Sequence, residues 1–444
     1  MTQAVFTRGS TMRHVLVMTG ASAVGLIAMF GVDMVDMYFL ALLGEQELVA
    51  AVGFAGALLY FLIAASIGLQ IALGALVARA EGAHRRDLAG QLCTSALIFN
   101  SSIAVLLSLV VWFYLRELLV LLGASGATLE SALIYASILL PSMPVLVLGM
   151  SAAAGVRAMG DARRSMWATL AGSAVNGLLD PLFIFTFGWG LEGAALSSVV
   201  ARFAVLGIAW HALFRVHKLP QKISIKDFET NLKSILHIAV PAMLTNLATP
   251  IGASFVLRTM AQFGDAAVAG AAILGRINPV AFAAIFSLSG AVGPIIAQNA
   301  GAGYYHRVRL ALANAMAFNA VYVMLMWLIL WLSADFIVRH SSASPGAADL
   351  ILFYTHWLVW SYVFHGSLFI ANASFNNLHR PRWATTFNFG RTLLGTIPAV
   401  YFGAQWYGAR GVMIGEAVSS ILFGLLAASA AFALVRRLDK EHRA

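Results

Sequence analysis

The chain has 444 residues, of which 60% are hydrophobic and only 11% are charged, and its mean hydropathy is +0.84. A soluble globular protein carries roughly a quarter charged residues, so this composition excludes a soluble enzyme and a disordered protein. Long apolar runs separate the charged segments, and they reach the roughly 20 residues that a helix needs to cross about 30 Å of hydrocarbon. The sequence therefore predicts an all-α polytopic membrane protein.

Twelve transmembrane helices are predicted from these apolar runs. They lie near residues 14–41, 48–78, 88–114, 128–156, 165–187, 191–214, 235–262, 266–298, 310–334, 347–376, 384–405 and 411–435. The first run contains Ala21-Ser22-Ala23, which resembles a signal-peptide cleavage site. Because this run continues to Leu43 and has a counterpart in the second half of the chain, we expect a retained first helix.

The positions of Lys and Arg along the chain explain the net charge of +9 as a sign of membrane topology. Of the 28 basic residues, 21 lie in the amino-terminal segment, the even-numbered connections and the carboxy-terminal tail, whereas three lie in the odd-numbered connections and four inside spans. The positive-inside rule then predicts that both termini are cytoplasmic. The basic excess indicates topology, so we expect no nucleic-acid partner. The predicted location is the cytoplasmic (inner) membrane of a prokaryote, where the lipid bilayer and small molecules are the partners.

The sequence lacks the common motifs for metal binding, disulfide formation and nucleotide binding. The single Cys93 allows neither an intrachain disulfide nor a thiolate metal cluster, and no HExxH or GxxxxGK pattern occurs. Gly188, Gly190 and Gly193 spell GxGxxG, but they lie between two membrane helices and do not follow a strand. We therefore expect no enzyme activity, no cofactor and no resident metal, and any work done by the protein has to draw on something other than bound ATP.

The sequence also contains an internal repeat. Three pairs of segments resemble each other at a nearly constant offset: Leu42–Phe54 with Gln262–Leu274 at 220 residues, Gly74–Gly82 with Gly293–Gly301 at 219, and Gly190-x-x-Gly193 with Gly408-x-x-Gly411 at 218. Each half holds six helices, an even number, so both halves are predicted to enter the membrane from the same side.

This repeat predicts two pseudo-symmetric six-helix lobes around a central cavity. The boundaries are an N-lobe over residues 1–215 with helices 1–6, a cytoplasmic linker over 216–234, and a C-lobe over 235–444 with helices 7–12. Transporters use such lobes for alternating access, with the substrate path between them.

Carboxyl groups inside spans are the main candidates for function, because each costs a few kcal/mol at the membrane midplane and usually marks a pathway or relay. Asp33 and Asp36 lie three residues apart in helix 1, and Asn176 and Asp180 lie one turn apart in helix 5. Pro181 lacks an N–H and frees a backbone carbonyl. A carboxyl group away from water is costly in its charged form, so it can take up and release a proton.

Structural explanations stay open for several of these residues. Asp33 could face interfacial water, and Asn176 could serve only to bond a neighbouring helix. Tyr38 is a candidate for the substrate path because it lies next to the two acids of helix 1. His365 is either a structurally bonded histidine or a proton group. Four arginines lie inside spans, where they either bond carbonyls and snorkel or line a cavity that favours anions: Arg202, Arg258, Arg276 and Arg391.

Four segments together resemble the multidrug and toxic compound extrusion (MATE) family. They are Asn176–Ser198 (NGLLDPLFIFTFGWGLEGAALSS), Val35–Gly44 followed by Leu48–Phe54, Gln298–Gly303 (QNAGAG) and Arg157–Arg163 (RAMGDAR). The resemblance covers essentially the whole chain. It implies a twelve-helix exporter that exchanges protons or sodium for organic compounds, usually amphipathic cations.

Acids in both helix 1 and helix 5 are similar to the DinF-like branch of that family, in which the first lobe holds the coupling site. The resemblance assigns the coupling roles to Asp36, Asn176 and Asp180, and it places Ser198 where a threonine often completes the cation site; sodium could use the same four residues. Helix 7 (Ala253–Gly264) and helix 10 (Trp360–Phe375) lack the carboxylates of the other bacterial branch.

Two residues depart from the pattern of a cation exporter, because Arg258 and His365 make the second lobe more basic. The leading hypothesis is a monomeric secondary exporter that antiports protons or sodium against amphipathic organic compounds. The alternative is a flippase for lipid-linked oligosaccharides or another large anion, for which the four in-span arginines are the argument. A membrane-embedded enzyme is a third hypothesis, but no catalytic cluster is evident at either rim.

Overall fold

The computed structural model describes residues 4–43, 46–341 and 343–443. These residues form helices joined by short turns, and no strand occurs among them. Eight α-helices make up the first half: α1 (Thr11–Leu42), α2 (Gln46–Gly82), α3 (Arg86–Phe113), α4 (Leu115–Leu121), α5 (Gly126–Leu139), α6 (Met143–Ala158), α7 (Ala162–Pro181) and α8 (Gly190–His211). Eight more follow: α9 (Ile225–Ala261), α10 (Asp265–Ala281), α11 (Ala283–Gly301), α12 (Tyr305–His340), α13 (Pro345–Trp357), α14 (Tyr362–Asn377), α15 (Pro381–Gly390) and α16 (Ile397–Arg443).

Several predicted spans contain a break. The fourth consists of α5 and α6 joined by the 3-10 turn Leu140–Ser142, and the tenth consists of α13 and α14 joined by Val359–Ser361. The predicted eighth span, 266–298, is not continuous, because α10 ends and α11 begins on either side of Phe282. Inside α16, Gly408 has φ 60° and ψ −142°, a conformation that glycine adopts because it has no Cβ. This residue separates the eleventh span from the twelfth.

Ten helical stretches are long and apolar enough to cross a membrane. One of them, Pro381–Arg443, has 63 residues and contains both the eleventh and the twelfth predicted spans. The tenth span is not among the ten, because the turn residue Leu358 divides it into helices of 13 and 16 residues, and each alone falls short of the roughly 20 residues that cross the hydrocarbon. The ten stretches together with this broken pair account for the twelve predicted spans.

The helix boundaries repeat along the chain. The helices α2, α3, α5, α6 and α7 begin 219 residues before α10, α12, α13, α14 and α15, respectively. Turns repeat at the same offset, because His84 and Gly303 both have positive φ, as do Gly160 and His379. The internal repeat is thus present in the helices and in the turns between them.

The chain forms two compact units. One contains Val24–Met243, and the other contains the chain up to Ala23 and from Leu244 onward. Both boundaries fall inside long helices, since α1 and α9 each begin in one unit and end in the other. The helical backbone of α1 and α9 is thus continuous across the boundary between the two units.

The segment before α1 is anchored to the unit that contains Leu244 onward. Phe6 is only 2% exposed, and its N–H donates to Gln298 Oε1 at 3.0 Å. Its carbonyl oxygen accepts hydrogen bonds from Asn299 Nδ2 at 3.1 Å and Arg307 Nη2 at 3.0 Å. These bonds satisfy backbone groups that would otherwise be buried without partners.

Asp161 fixes the turn before α7. Its Oδ1 accepts from the Arg164 backbone N–H at 3.1 Å, while Oδ2 lies 2.5 Å from Arg164 Nη1 and 3.0 Å from His217 Nε2. Burial alone raises the pKa of Asp161, but the hydrogen bonds from His217 and Arg164 outweigh it and hold this pKa well below its ordinary value. The carboxylate thus ties the start of α7 to the segment that follows α8.

Replacement of this carboxylate tests its contribution to stability. Asp161→Ala removes a helix cap, a change that costs about 1 kcal/mol, and we expect a lower thermal midpoint for the detergent-solubilised protein. The wild-type contribution is fully present above the unfolded-state pKa of 3.8 and is lost as the pH falls toward the lower pKa of the folded state. The midpoint difference between the two proteins should therefore shrink at acidic pH. Asp335→Ala, at an exposed carboxylate of α12, is the control and should leave the midpoint unchanged; an equal shift in both variants would contradict the assignment.

Candidate functional site

Two helices of the unit Val24–Met243 bring three predicted residues together. Asn176 and Asp180 share one face of α7 because they are four residues apart, and Asp36 comes from α1. Asn176 Nδ2 lies 3.1 Å from Asp36 Oδ2 and 3.1 Å from Asp180 Oδ2, so its two N–H groups donate one hydrogen bond to each carboxyl group. Asp180 is completely buried and Asn176 is 9% exposed. We call these three residues, together with Ser197, the carboxyl cluster.

The hydroxyl group in this cluster belongs to Ser197. Its Oγ–H donates a hydrogen bond to Asp180 Oδ1, and the residue is fully buried on α8. Ser198, the residue expected at this position, is only half-buried and makes no such contact among the described residues. Adjacent residues of an α-helix point about 100° apart, so only one of the two serines can face Asp180.

A close contact between α8 and the end of α7 sets the rotation of α8. Pro181 lacks an N–H, and a π-helical turn, Leu182–Thr186, follows it. Gly193 packs against this turn, where an added Cβ would lie 2.8 Å from the carbonyl oxygen of Phe183. Ser197 is one helical turn after Gly193 and therefore lies on the same face. The missing side chain at Gly193 thus lets the Ser197 hydroxyl reach Asp180.

Electrostatics limit the charge that the carboxyl cluster can hold. Asp36 Oδ2 and Asp180 Oδ2 each lie 3.1 Å from the same nitrogen, Asn176 Nδ2, so the two carboxyl groups are close neighbours. Two carboxylates at this distance cannot both ionise readily. Asp36 Oδ1 is buried and has no hydrogen-bond partner among the described residues, so protonation of Asp36 would remove an unpartnered buried negative charge. The arrangement can therefore hold a proton and exchange it.

Two further polar side chains lie on α5 and on α8, the helix that also carries Ser197. Tyr135, on α5, interacts electrostatically with Asp36, Asp180 and Arg202. The guanidinium of Arg202 is held in place, because Nη1 donates to the Leu139 carbonyl oxygen at 2.8 Å and to Ser142 Oγ at 2.6 Å. This in-span arginine therefore has a structural partner at the break between α5 and α6.

The remaining predicted residues lie outside these hydrogen bonds. Asp33 is exposed on α1, although its charge acts on Asp36, and Tyr38 is 61% exposed. Arg258 is exposed on α9, and His365 packs between aromatic rings on α14. Both belong to the unit that contains Leu244 onward.

Sequence reasoning missed Ser197, Tyr135 and Glu416. Glu416 lies inside the twelfth predicted span, 411–435, so a complete search for in-span carboxylates would have found it. Ser197 could not be preferred over Ser198 without the rotation of α8. Tyr135 carries no sequence signal, because apolar spans commonly contain tyrosine.

Comparisons with known proteins agree with this architecture. The MatE family model matches residues 21–182 and, separately, residues 241–401. The FAD transporter of Shewanella oneidensis is 26% identical over 419 residues, which cover 93% of this chain and 92% of that protein. Multidrug export protein MepA of Staphylococcus aureus is 22% identical over 414 residues, which cover 91% and 90%.

The fold is also that of a solved transporter. The structure of a mutant of the Vibrio cholerae MATE transporter VcmN superposes with a TM-score of 0.92 at 24% identity, covering 98% of this chain and 99% of the other. The two family-model matches fall one in each half of the internal repeat. The chain therefore has twelve transmembrane helices in two six-helix lobes, and it belongs to the MatE family of multi-pass membrane transporters, which are not enzymes.

Proposed function

We propose that the protein is a secondary active exporter that antiports protons against small amphipathic organic compounds, with the carboxyl cluster as the coupling site. The observation that carries this proposal is the pair of hydrogen bonds from Asn176 to Asp36 and Asp180, which joins two carboxyl groups inside the membrane-spanning part of the chain. A buried carboxyl pair that shares a proton can gain a second one and lose it again as its surroundings change.

The coupling follows from competition for the same carboxyl groups. Proton entry neutralises Asp36 and Asp180, which removes their mutual repulsion and their attraction for a cationic substrate. Only a difference in proton affinity between two conformations can then drive transport. Helix α1 offers a place to bend at Gly31, where an added Cβ would meet nothing within 4 Å, whereas an added Cβ at Gly25 would lie 3.3 Å from Thr169 Cβ. Loss of the cluster's negative charge is thus converted into a change of α1.

Protons fit the carboxyl cluster better than sodium does. Asn176 directs its N–H groups, and not its carbonyl oxygen, at the two carboxyl groups. Sodium requires oxygen ligands, so the Asn176 amide would have to turn over before Asp36, Asp180 and Ser197 could bind the ion with it. This geometry supports protons as the coupling ion and leaves sodium as the alternative.

The relatives suggest two classes of substrate. MepA is named a multidrug export protein, and the Shewanella relative is named an FAD transporter, so we infer that small organic molecules are exported here and that some carry negative charge. A flippase for large anions is the second candidate. Its argument rests on the in-span arginines, but Arg202 is already engaged by protein groups, which weakens that candidate.

The location and organisation belong to the same proposal. We place the protein in the inner membrane of a prokaryote as a functional monomer, with both termini in the cytoplasm, because most basic residues flank spans on one side. The lobes are residues 1–215 and 235–444, and the cytoplasmic linker is 216–234.

Removal of either acid should abolish coupling. Asp36→Asn and Asp180→Asn keep the side-chain size but cannot take up a proton, so we expect gradient-driven export to fall to the background of protein-free vesicles at unchanged membrane content. Transport of a fluorescent organic cation measures this. Asp335→Asn is the control at an exposed acid. Full transport by both variants would refute the coupling role.

The two adjacent serines offer a matched pair. Ser197→Ala removes the hydroxyl donor to Asp180, and we expect export to fall by about three- to tenfold, as for the loss of one hydrogen bond of about 1 kcal/mol. Ser198→Ala should transport like the wild type. The same assay decides between them, and the reverse ranking would contradict the assignment of Ser197.

The coupling ion is tested in liposomes that contain the purified protein. With a pH gradient or a sodium gradient imposed separately, we expect movement of the organic cation under the pH gradient alone. Movement driven only by sodium would replace the proton with sodium, and movement without either gradient would refute secondary active transport.

A further inference from the structure

Among the residues that the structure describes, no hydrogen bond or ion pair is made by the guanidinium of one buried arginine in the unit that contains Leu244 onward. Arg391 begins the π-helical turn Arg391–Thr396 and is 8% exposed. Its Nε is buried without a hydrogen-bond acceptor among the described residues, and no carboxylate of those residues lies within the 4.0 Å of an ion pair. A buried charge without a hydrogen-bonded counter-ion is costly. A ligand that brings an anionic group to Arg391 would remove this cost.

Two half-buried arginines are hydrogen-bonded by the protein itself. Arg202 donates to the Leu139 carbonyl oxygen and to Ser142, and Arg157 donates to Ser165 Oγ at 2.8 Å. Arg391 therefore differs from arginines whose role is to join helices. Its backbone is nevertheless fixed, because its carbonyl oxygen accepts a hydrogen bond from Ser419 Oγ at 3.2 Å.

Helix α16 contacts both this arginine and the aromatic helix α14, because Ser419 Oγ donates to the Arg391 carbonyl oxygen and an added Cβ at Gly424 would clash with the carbonyl oxygen of Phe364. Tyr362, His365 and Phe369 share one face of α14, as their spacing of three and four residues requires. The ring centroids of Tyr362 and His365 are 5.1 Å apart, and those of His365 and Phe369 are 4.7 Å apart. All three are half-buried, and the charge of Arg391 acts on Tyr362 and His365. The ring of Phe282 stacks on that of Tyr362, with the ring centroids 4.0 Å apart.

A carboxylate lies in the same region but forms no ion pair with Arg391 among the described residues. Glu416, on α16, is three residues before Ser419, so it lies on the face that contacts the Arg391 carbonyl. It is exposed, and its charge acts on Arg391. No ion pair joins the two groups among the described residues, and Arg391 Nε has no acceptor there, so Glu416 leaves the guanidinium unpaired.

We propose that Arg391 and the aromatic face of Tyr362, His365 and Phe369 form a binding subsite for a planar aromatic substrate that carries one anionic group. The guanidinium binds a phosphate or carboxylate by two parallel N–H donors, while the rings contact the aromatic body of the substrate. This inference rests on the proposed transport of small organic molecules and gives the chemical class of part of the substrates.

Two flavins that share a ring system and differ by one phosphate test the subsite. Riboflavin and flavin mononucleotide are titrated against purified protein in detergent, with flavin fluorescence as the signal. Because a hydrogen bond to a charged group is strong, we expect flavin mononucleotide to bind at least about tenfold more tightly than riboflavin. In Arg391→Met the two affinities should become equal. Tyr362→Leu should weaken both ligands by the same factor, and Arg410→Gln, at an exposed arginine paired with Asp349, should change neither.

Several results would overturn the subsite. These are equal affinity for the two flavins in the wild type, no binding of flavin mononucleotide, or an unchanged preference in Arg391→Met. Should that variant fail to fold, wild-type protein decides instead: flavin mononucleotide, but not riboflavin, should protect Arg391 from modification by phenylglyoxal, as read by mass spectrometry. The titrations need no ion gradient. A failure of coupling at Asp36 and Asp180 would therefore leave them unaffected, and a failure here would leave the coupling assignment standing.

Discussion

A carboxyl group between membrane helices must find its hydrogen-bond partners within the protein, because the hydrocarbon offers none. In this transporter two such groups, Asp36 and Asp180, meet around the amide of Asn176, and Ser197 supplies a further donor. The arrangement requires α1, α7 and α8 to approach closely. The charge of the pair thus bears on the packing of three helices, and the proposed coupling rests on this link between protonation and helix packing.

The internal repeat supplies the same scaffold twice but different chemistry in each half. At offsets of 218 to 219 residues, Asp180 corresponds to Ala399 and Ser197 to Gly415. An added Cβ at Gly415 would clash with the Ala399 carbonyl oxygen, so the second half keeps the close helix contact and loses the polar groups. Its own polar feature, Arg391 with Glu416, occupies other positions. The two proposals thus place proton exchange in the first half and recognition of substrate charge in the second.

Part of the site was accessible from the sequence because it is local. Asn176 and Asp180 are four residues apart, and helical geometry alone places them on one face. Asp36 lies 140 residues before Asn176, and no local pattern connects the two. Resemblance to a known family supplied that connection, but it could not place the serine, since family motifs align residues and do not give the rotation of a helix.

The sequence by itself determined the membrane-spanning character, the twelve spans and the repeat, because hydrophobic length and periodic similarity are properties of the chain. Tertiary structure decided which side chains face each other. The rotation of α8 depends on Gly193 packing against Phe183, and the isolation of Arg391 depends on which carboxylates come within reach of it. Both are contacts between helices, and the free energy of such contacts depends on the shapes of both partners, so neither helix alone encodes them.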